Sequence, residues 1–468
     1  MLNVFADLAH VGGYLDESDL ETDRMGKFFH MMNRILDERK QRFSGTSYED
    51  YINHNGWTIP AVLVVIDNFG AFHEKTGETY DADLMRIAKE GNGYGVYLLV
   101  SAAGISMQEM PSRLAENFRT NIALEMQDAF AYGDILHIIR PPVLPESRVK
   151  GRGLMYFGER ILEFQTALAA RAEGSPERND LLKEAVERMN AAYDGIPARS
   201  IPVIPNKPVR QDLISLPEYR QMLENPKILP IGWDFASADV ASFDLVKNYA
   251  FLISGTRQSG KSVFMENLIR TAAERGEHVL ILEPGEKRFE KVAEECGLKR
   301  YTDSDGILEA MTFVHGELLA RSGLKKECLD RKCSDEELFE AAGVNPRINL
   351  FINNMTGFLE LLHDPDSSAH NAEELFETVC ERGKGYNLFL FCEAGDRELT
   401  ELPGYNAFAS LMNYRSGIRF GGRFGEQKLF AFENIGFQDQ DRSMKPGIGV
   451  IPTDNRDDRL QQIVVPLC

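Results

Sequence analysis

The sequence has no concentration of positive charge. Its 468 residues include 52 Lys and Arg against 72 Asp and Glu, which gives a net charge of −20 and a pI near 5.0. No basic stripe interrupts this acidity, and binding to duplex DNA or to an anionic membrane surface needs locally gathered positive charge. The composition therefore predicts no nucleic-acid partner.

Long apolar runs are also absent. No run approaches the roughly 18 residues that span a bilayer. The N-terminal sequence MLNVFADLAHVGG lacks the basic start and the apolar core of a signal peptide. The sequence thus predicts a soluble piece of protein. With 43% hydrophobic and 26% charged residues, a chain of this length is expected to form about two to four domains with real cores.

Cysteine is scarce and confined to the second half of the chain. Among the six cysteines, only Cys328 and Cys333 lie close together in sequence. Without a second cysteine pair or a nearby histidine cluster, this spacing disfavours a zinc site. Scattered reduced thiols in a cytosolic compartment are the favoured interpretation.

Two parts of the sequence resemble each other. VVIDNFGAFHE at 64–74 aligns with FINNMTGFLE at 351–360, so that Asp67 matches Asn353 at an offset of 286. Further on, GNGYGVYLLVSAA at 91–103 aligns with GKGYNLFLFCEAG at 383–395 at an offset of 292. Two matches in the same order at nearly the same offset predict duplicated domains.

The repeat also predicts what the first copy lacks. The second copy carries a phosphate-binding loop at 255–262, and the offset places the equivalent loop about 30 positions before Met1. We therefore expect residues 1–171 to form the later part of an ATPase domain without its phosphate loop. Residues 172–235, which contain a predicted amphipathic helix and a proline-rich crossing, are predicted as a linker. Residues 236–468 are predicted as a second ATPase domain.

The strongest local signal is the phosphate-binding loop itself. GTRQSGKS fits the pattern G-x-x-x-x-G-K-[ST], and it lies between an apolar run suited to a buried strand and a helix predicted over 261–275. The glycines let the backbone curl so that N–H groups and the helix N-terminus face the phosphates. Lys261 is expected to reach the terminal phosphates of ATP, and Ser262 to bind Mg²⁺. The predicted nucleotide-binding residues are Gly255, Thr256, Arg257, Gln258, Ser259, Gly260, Lys261 and Ser262.

The strand expected to end in catalytic carboxylates ends in two amides. INLFINN has Asn353 and Asn354 where phosphate-loop ATPases with an additional strand usually have Asp-Glu or Asp-Asp. An amide oxygen accepts a hydrogen bond and remains a candidate metal ligand at Asn353, but it has no charge and takes no proton at neutral pH. Losing a general base costs about 10²–10⁴ in rate. We therefore expect the second copy to bind ATP and to hydrolyse it slowly or not at all. A core strand that ends in turn-favouring Asn is the alternative.

Further polar positions complete the candidate catalytic set. Asp67 in the first copy keeps one carboxylate of the pair but is followed by Asn68. Ser101 and Glu393 follow the next strand in the two copies, and Glu393 is a candidate replacement base. An ordinary strand-end carboxylate is the alternative interpretation for Glu393. Three basic residues are candidates for contacts across a subunit boundary, against the alternative of solvated surface: Arg119, Arg382 and Lys384.

Taken together, these features resemble the C-terminal region of type VII secretion ATPases of the EssC/YukB type, which are related to EccC within the FtsK/SpoIIIE superfamily. The resemblance covers nearly the whole chain. It rests on HVGGYLDESD, VVIDNF and GRGLMYFGERILEFQTAL in the first copy, IPVIP and LPIGWD between the copies, and GTRQSGKS, LFINN and the ending from SGIRFGG to KPGIGVI in the second. It implies an α/β fold of two tandem P-loop NTPase domains, RecA- or FtsK-like, the first without its N-terminal phosphate-loop portion.

The resemblance also implies a function. Members of this family are membrane-anchored, oligomerising ATPases that use ATP and Mg²⁺ and help to export small helical WXG-type proteins. The implied location is cytoplasmic, at the inner face of the cell membrane, with membrane contact only through segments outside this chain. The implied partners are secreted WXG-type proteins and other subunits of the secretion ATPase. A pocket in the last domain would dock the export signal, and the apolar segments near 309–320 and 405–414 are candidates. One departure is ENFRTNIAL, where Asn121 stands in place of an arginine that related motors often have.

Two alternatives stay open. A DNA translocase of the FtsK type would need a basic channel lining and salt-dependent DNA binding, and the charge of −20 argues against it. A substrate-docking module without nucleotide function would leave the phosphate loop without a role. In that case Lys261→Ala would change neither stability nor partner binding.

Overall fold

The fold is taken from a computed structural model. It describes residues 2–20, 23–105, 109–395, 402–414, 416–423, 425, 429–430, 440, 443–452 and 461–468. The chain divides into two compact units, Met1–Val203 and Ile204–Cys468. Residues 172–235, predicted as a linker, contribute one helix to the first unit and two helices and a strand to the second.

The first unit combines helices with two small sheets. Strands β1 (Val62–Ile66) and β2 (Val96–Val100) pair in parallel. Strands β3 (Ile122–Ala123), β4 (Arg152–Phe157) and β5 (Arg160–Gln165) form an antiparallel sheet. The helices are α1 (Arg24–Phe43), α2 (Tyr48–Asn55), α3 (Phe69–Thr76), α4 (Asp81–Glu90), α5 (Ser112–Ala115), α6 (Ala129–Leu136) and α7 (Ser175–Ala192).

One face of the β1–β2 sheet is open to solvent within the described part of the chain. The paired residues Leu63 and Tyr97 are 62% and 40% exposed, and the next pair on this face, Val65 and Leu99, are 45% and 52% exposed. Parallel sheets are normally covered on both faces. The four positions at the predicted offsets in the second unit are all buried, and they are Asn349, Phe351, Phe389 and Phe391.

The second unit is built on a ten-stranded sheet with the order β10-β9-β11-β12-β8-β13-β14-β15-β6-β7. The strands are β6 (Ile228–Asp234), β7 (Val240–Asp244), β8 (Ala250–Gly255), β9 (His278–Leu282), β10 (Arg300–Tyr301), β11 (Ile348–Ile352), β12 (Leu388–Gly395), β13 (Gly417–Phe420), β14 (Ile448–Ile451) and β15 (Gln461–Val464). The helices are α8 (Arg210–Ile214), α9 (Pro217–Glu224), α10 (Lys261–Glu274), α11 (Glu290–Cys296), α12 (Ser304–Asp330), α13 (Asp335–Ala342), α14 (Met355–His363), α15 (Glu373–Arg382) and α16 (Asn406–Met412).

The centre of this sheet is parallel and apolar. Strands β9, β11, β12, β8 and β13 run in the same direction, and β11 is buried along its whole length. A nearly continuous apolar run is what a parallel strand covered on both faces requires. Phe251, Phe391 and Phe351 stack across three neighbouring strands, with ring centroids 5.2 and 4.9 Å apart. This core fixes the ends of β8, β11 and β12 at one edge of the sheet.

The buried hydroxyl of Tyr249 makes the stability of the second unit decrease at alkaline pH. It donates to the carbonyls of Val379 (2.9 Å) and Cys380, and burial raises its pKa far above the ordinary value. Because the raised pKa belongs to the folded state, stability is fully present below a pH of about 10 and falls above it. We expect Tyr249→Phe to lower the free energy of unfolding by about 1 kcal/mol at pH 7 and to flatten the loss of stability above pH 10. Urea unfolding at pH 7 to 11 measures both effects.

The matched control is Tyr405→Phe, because the Tyr405 hydroxyl makes no hydrogen bond among the described residues. If the stability of the two variants decreases equally with pH above 10, the assignment to Tyr249 is wrong.

Candidate functional site

The phosphate loop leaves the centre of the sheet and leads directly into a helix. It follows β8, which lies between β12 and β13, and the N-terminus of α10 is Lys261. Gly255 has a φ of 152°, and a Cβ there would lie 2.1 Å from the carbonyl oxygen of Phe420. Gln258 and Gly260 also have positive φ, at 60° and 116°. The predicted strand–loop–helix is therefore confirmed, with backbone conformations that the glycines make accessible.

Lys261 is folded back onto its own loop. Its Nζ lies 3.0 Å from the carbonyl oxygens of both Gly255 and Thr256 and 3.3 Å from Oε1 of Glu393. The side chains of Lys261 and Glu393 are each only 9% exposed. An ammonium has three N–H donors, and these three acceptors match them in number. The sequence predicts that the same ammonium binds the phosphates of ATP. Phosphate binding must therefore replace part of this arrangement.

Glu393 is next to the loop because of strand register. It stands opposite Ile253 of β8 in the parallel pairing of β12 with β8. A general base must be free to accept a proton from water, whereas the Glu393 carboxylate contacts the Lys261 ammonium. The structure thus gives Glu393 a contact that explains its position without catalysis, and its role as a base stays a prediction.

The two amides at the end of β11 have different environments. Asn353 is completely buried, and its Nδ2 donates to Glu286 at 2.9 Å and to Glu283 at 3.4 Å. Asn354 has a φ of 55° and is the N-cap of α14, where its side-chain oxygen accepts the backbone N–H of Gly357 at 3.2 Å. Asn354 therefore satisfies its own helix, while Asn353 contacts carboxylates from the segment after β9.

The same arrangement occurs at the end of β1 in the first unit. Asp67 is exposed and accepts a hydrogen bond from the Ser101 hydroxyl at 2.6 Å. Asn68 has a φ of 59°, caps α3 by accepting from Ala71 N, and donates its own N–H to Ser101 at 2.9 Å. Asp67 and Ser101 directly follow the last pair of β1 and β2, Ile66 and Val100, and Asn353 and Glu393 follow the corresponding pair of β11 and β12, Ile352 and Cys392. Asp67 lies in the first unit, and its catalytic role stays a prediction.

Three charged residues at this site were missed in the sequence. Glu283 directly follows β9, is fully buried, and accepts the backbone N–H groups of Arg288 at 2.6 Å and of Phe289 at 3.1 Å. Glu283 also pairs with Arg300 at 2.9 Å. These charged residues stand in the run LEPGEKR, and only the adjacency of β9 and β11 places their side chains beside Asn353.

Arg288 and Glu286 connect this cluster to the phosphate loop. Nη1 of Arg288 donates to the Ser262 hydroxyl at 3.0 Å, and its Nε lies 2.8 Å from Oε2 of Glu286. The same Glu286 oxygen accepts from Asn353. A continuous chain of polar contacts therefore runs from Ser262 to the end of β11.

This arrangement does not fit the predicted magnesium ligands. The Ser262 oxygen already accepts from a cation, and Oδ1 of Asn353 is buried without a hydrogen-bond partner among the described residues. Glu283 and Glu286 are each paired with an arginine. Mg²⁺ prefers carboxylate and water oxygens in octahedral geometry. Across the ranges that the structure describes, no group of three or more His, Cys, Asp or Glu is placed to hold a metal ion.

The fold and the loop define a class of protein. A G-x-x-x-x-G-K-[ST] loop between β8 and α10, with β12 inserted between β8 and β11, is typical of a P-loop NTPase of the RecA- or FtsK-like class. No family model matches the chain. None of the described helices is both long and apolar enough to cross a membrane.

Comparison with known proteins points to one kind of ATPase. Over 440 residues the chain is 23% identical to the type VII secretion system protein EssC of Staphylococcus aureus, an alignment that covers 90% of this chain and 27% of that protein. The solved ATPases 2 and 3 of EssC from Geobacillus thermodenitrificans superpose with a TM-score of 0.72 at 19% identity, covering all of this chain and 83% of the other. ATPases 2 and 3 of Thermomonospora curvata EccC, solved in complex with a signal sequence peptide, give a TM-score of 0.58 at 19% identity, with coverage of 100% and 80%.

These comparisons confirm two predictions. The chain resembles the C-terminal region of type VII secretion ATPases of the EssC and EccC kind, and its fold is that of two tandem ATPase domains. It spans only about a quarter of the length of the curated EssC that it matches, 27%.

Proposed function

We propose that the second unit binds ATP at the loop of residues 255–262 and hydrolyses it slowly or not at all. The observation that carries this proposal is an intact phosphate loop beside a strand that ends in a buried amide. Lys261, already beside the loop, supplies positive charge for the phosphates. The two residues that follow β11, Asn353 and Asn354, are amides, which cannot take a proton from water at neutral pH.

At the level of the whole system, we propose that this chain acts in a secretion ATPase that exports small helical WXG-type proteins. The similarity to EssC and EccC supports this, as does the signal sequence peptide bound to the EccC relative. The proposed location is the cytoplasmic face of the membrane, in an assembly with further subunits. A nucleotide that binds only the assembled form stabilises it by about 2.7 kcal/mol at a hundredfold excess over the dissociation constant. ATP that is hydrolysed slowly or not at all could thus still control the assembly of the subunits by binding alone.

For substrate docking, the two candidate segments differ. In the segment 309–320, which lies within α12, Phe313 is 42% and Leu319 is 62% exposed. The segment 405–414 contains α16, whose Phe408 and Leu411 are buried in the core. An apolar side chain that fills the core is not free to meet a partner. We therefore propose the exposed side of α12 as the docking candidate.

Titration of the full chain with Mg-ATP, followed by thermal unfolding and phosphate release, tests nucleotide binding. We expect ATP to raise the melting temperature of the wild type and phosphate release to stay at background. Lys261→Ala is expected to lose this stabilisation, because a charge-assisted contact to phosphate contributes about 1.5–3 kcal/mol. The single variant leaves the buried Glu393 carboxylate without its lysine partner. The double variant Lys261→Ala, Glu393→Gln removes that unpaired charge and is the control.

Two results would contradict the proposal. If ATP does not shift the wild-type melting temperature, the loop has no nucleotide function. If the wild type releases phosphate at about one turnover per second, typical of enzymes, the argument from the amides is wrong. Loss of that turnover in Glu393→Gln would then identify Glu393 as the base.

A further inference from the structure

The guanidinium of Arg288 contacts the hydroxyl that usually binds the metal ion of a phosphate-loop site. The hydroxyl after the loop lysine, here Ser262, is the protein ligand for that ion in other P-loop proteins. In this structure the same oxygen accepts from Nη1 of Arg288 at 3.0 Å. A positive charge from the protein therefore already faces the magnesium-binding hydroxyl.

Arg288 is held in place at its backbone and at its side chain. Its backbone N–H donates at 2.6 Å to Glu283, a fully buried carboxylate that is itself paired with Arg300. Its Nε lies 2.8 Å from Oε2 of Glu286, and the same oxygen accepts from the Asn353 amide at 2.9 Å. An arginine on solvated surface has no such anchoring. The network places the cation beside the loop.

The charges at this site compensate for each other. Arg288 is positive and its partner Glu286 is negative, while Asn353 contributes no charge. Glu283, the second carboxylate beside Asn353, is paired with Arg300. With an amide at the end of β11, the positive group that faces the Ser262 hydroxyl is a guanidinium.

Arg288 also keeps donors for a ligand. A guanidinium has five N–H donors, and the described residues take two of them, through Ser262 and Glu286. Half of the side chain is exposed, at 50%. The planar fork of N–H groups matches phosphate oxygens well and stays charged at every physiological pH.

We propose that Arg288 replaces the divalent metal in this site, so that the second unit binds nucleoside triphosphate without Mg²⁺. The proposal rests on the proposed binding of ATP and adds how the negative charge of the phosphates is neutralised. It accounts for an amide at the end of β11 beside an intact phosphate loop.

Calorimetric titration of the full chain with ATP tests this, once in excess Mg²⁺ and once in excess chelator. The wild-type dissociation constant is expected to change by less than about tenfold between the two conditions. Arg288→Ala is expected to bind at least about tenfold more weakly in chelator, since it loses a charge-assisted contact, and to recover part of that affinity in Mg²⁺. Arg288→Lys, which keeps the charge but not the fork, should fall between them. Arg331→Ala removes an arginine from an exposed ion pair with Glu327 and is the matched control.

Each outcome bears on one proposal. The proposal that Arg288 replaces the metal is refuted if the wild type no longer binds ATP in chelator. It is also refuted if Arg288→Ala binds Mg-ATP more tightly than the wild type, because Arg288 would then only occupy the site until magnesium displaces it. Equal affinities of wild type and Arg288→Ala in chelator overturn it as well. Absence of binding in both conditions for the wild type refutes the proposed ATP site itself.

Discussion

Replacing Asn353 by aspartate is expected to lower the free energy of unfolding of the second unit by about 3 kcal/mol at pH 7, and not to create an active ATPase. The buried Asn353 amide donates to both Glu283 and Glu286. Aspartate removes these donors and adds a third carboxylate in contact with two others. Like charges in a buried site repel strongly because little water screens them.

This loss of stability should grow with pH. An ordinary aspartate ionises near a pH of about 3.9, but burial and the neighbouring carboxylates would raise the folded-state pKa of the introduced group. A carboxyl whose pKa is raised on folding leaves stability intact below its unfolded pKa and removes it as pH rises. The variant and the parent should therefore differ least near pH 4 and most at pH 7.

The two tryptophans make the measurement specific. Trp233 is buried in the second unit and Trp57 is 86% exposed in the first. Urea unfolding followed by Trp233 fluorescence in a Trp57→Phe background reports the second unit at each pH. The control is Asn349→Asp on the same strand, where Asn349 donates to Glu277 at 2.8 Å.

The control should lose less stability because its surroundings are more positive. Glu277 lies 3.1 Å from Arg347 and 3.8 Å from Arg275, so two guanidinium groups face one carboxylate before the substitution. If Asn353→Asp is as stable as the parent at pH 7, or begins to hydrolyse ATP, the carboxylates of Glu283 and Glu286 do not explain why an amide is required at position 353.

The site shows which contacts a linear pattern can predict. The loop residues are contiguous, so the spacing of Gly255, Gly260, Lys261 and Ser262 predicts the local geometry that the structure has. The cluster around Asn353 could not be read in this way. Glu286 lies 67 positions away in sequence, and the two meet only because β9 and β11 are neighbours in the sheet.

The sequence leaves two interpretations of the amide pair open. Both asparagines are predicted as replacements for catalytic carboxylates, with turn-favouring residues at the end of a core strand as the alternative, and the structure shows that Asn354 caps α14. Asn tolerates a left-handed backbone and accepts from the N–H three residues later, so a strand-to-helix turn favours it independently of chemistry. Asn68 does the same for α3 in the first unit. The second amide of each pair thus has a local structural cause, and only Asn353 reports on the site.

Gly255→Ala is expected to destabilise the second unit by about 3 kcal/mol or more and to abolish stabilisation by ATP. A Cβ at this position would lie 2.1 Å from the carbonyl oxygen of Phe420, and the φ of 152° is one that L side chains rarely adopt. Phe420 pairs with Gly255 in the sheet and accepts the N–H of Thr256 at 3.1 Å. The new methyl group must therefore push β13 away from β8 and reshape the start of the loop.

A comparison of three glycines separates steric contact from backbone strain. Gly276 has a φ of 68° with nothing within 4 Å of an added Cβ, so Gly276→Ala reports the backbone term alone, about 1–2 kcal/mol, and should keep the response to ATP. Gly260 has a φ of 116° and would place its Cβ 3.3 Å from Gly447, so its loss should be intermediate. Trp233 fluorescence during urea unfolding, with and without ATP, ranks the three variants. Equal losses of unfolding free energy for Gly255→Ala and Gly276→Ala would show that β13 moves away from β8 at little cost. The loop would then need Gly255 for its backbone conformation and not for the close approach of the two strands.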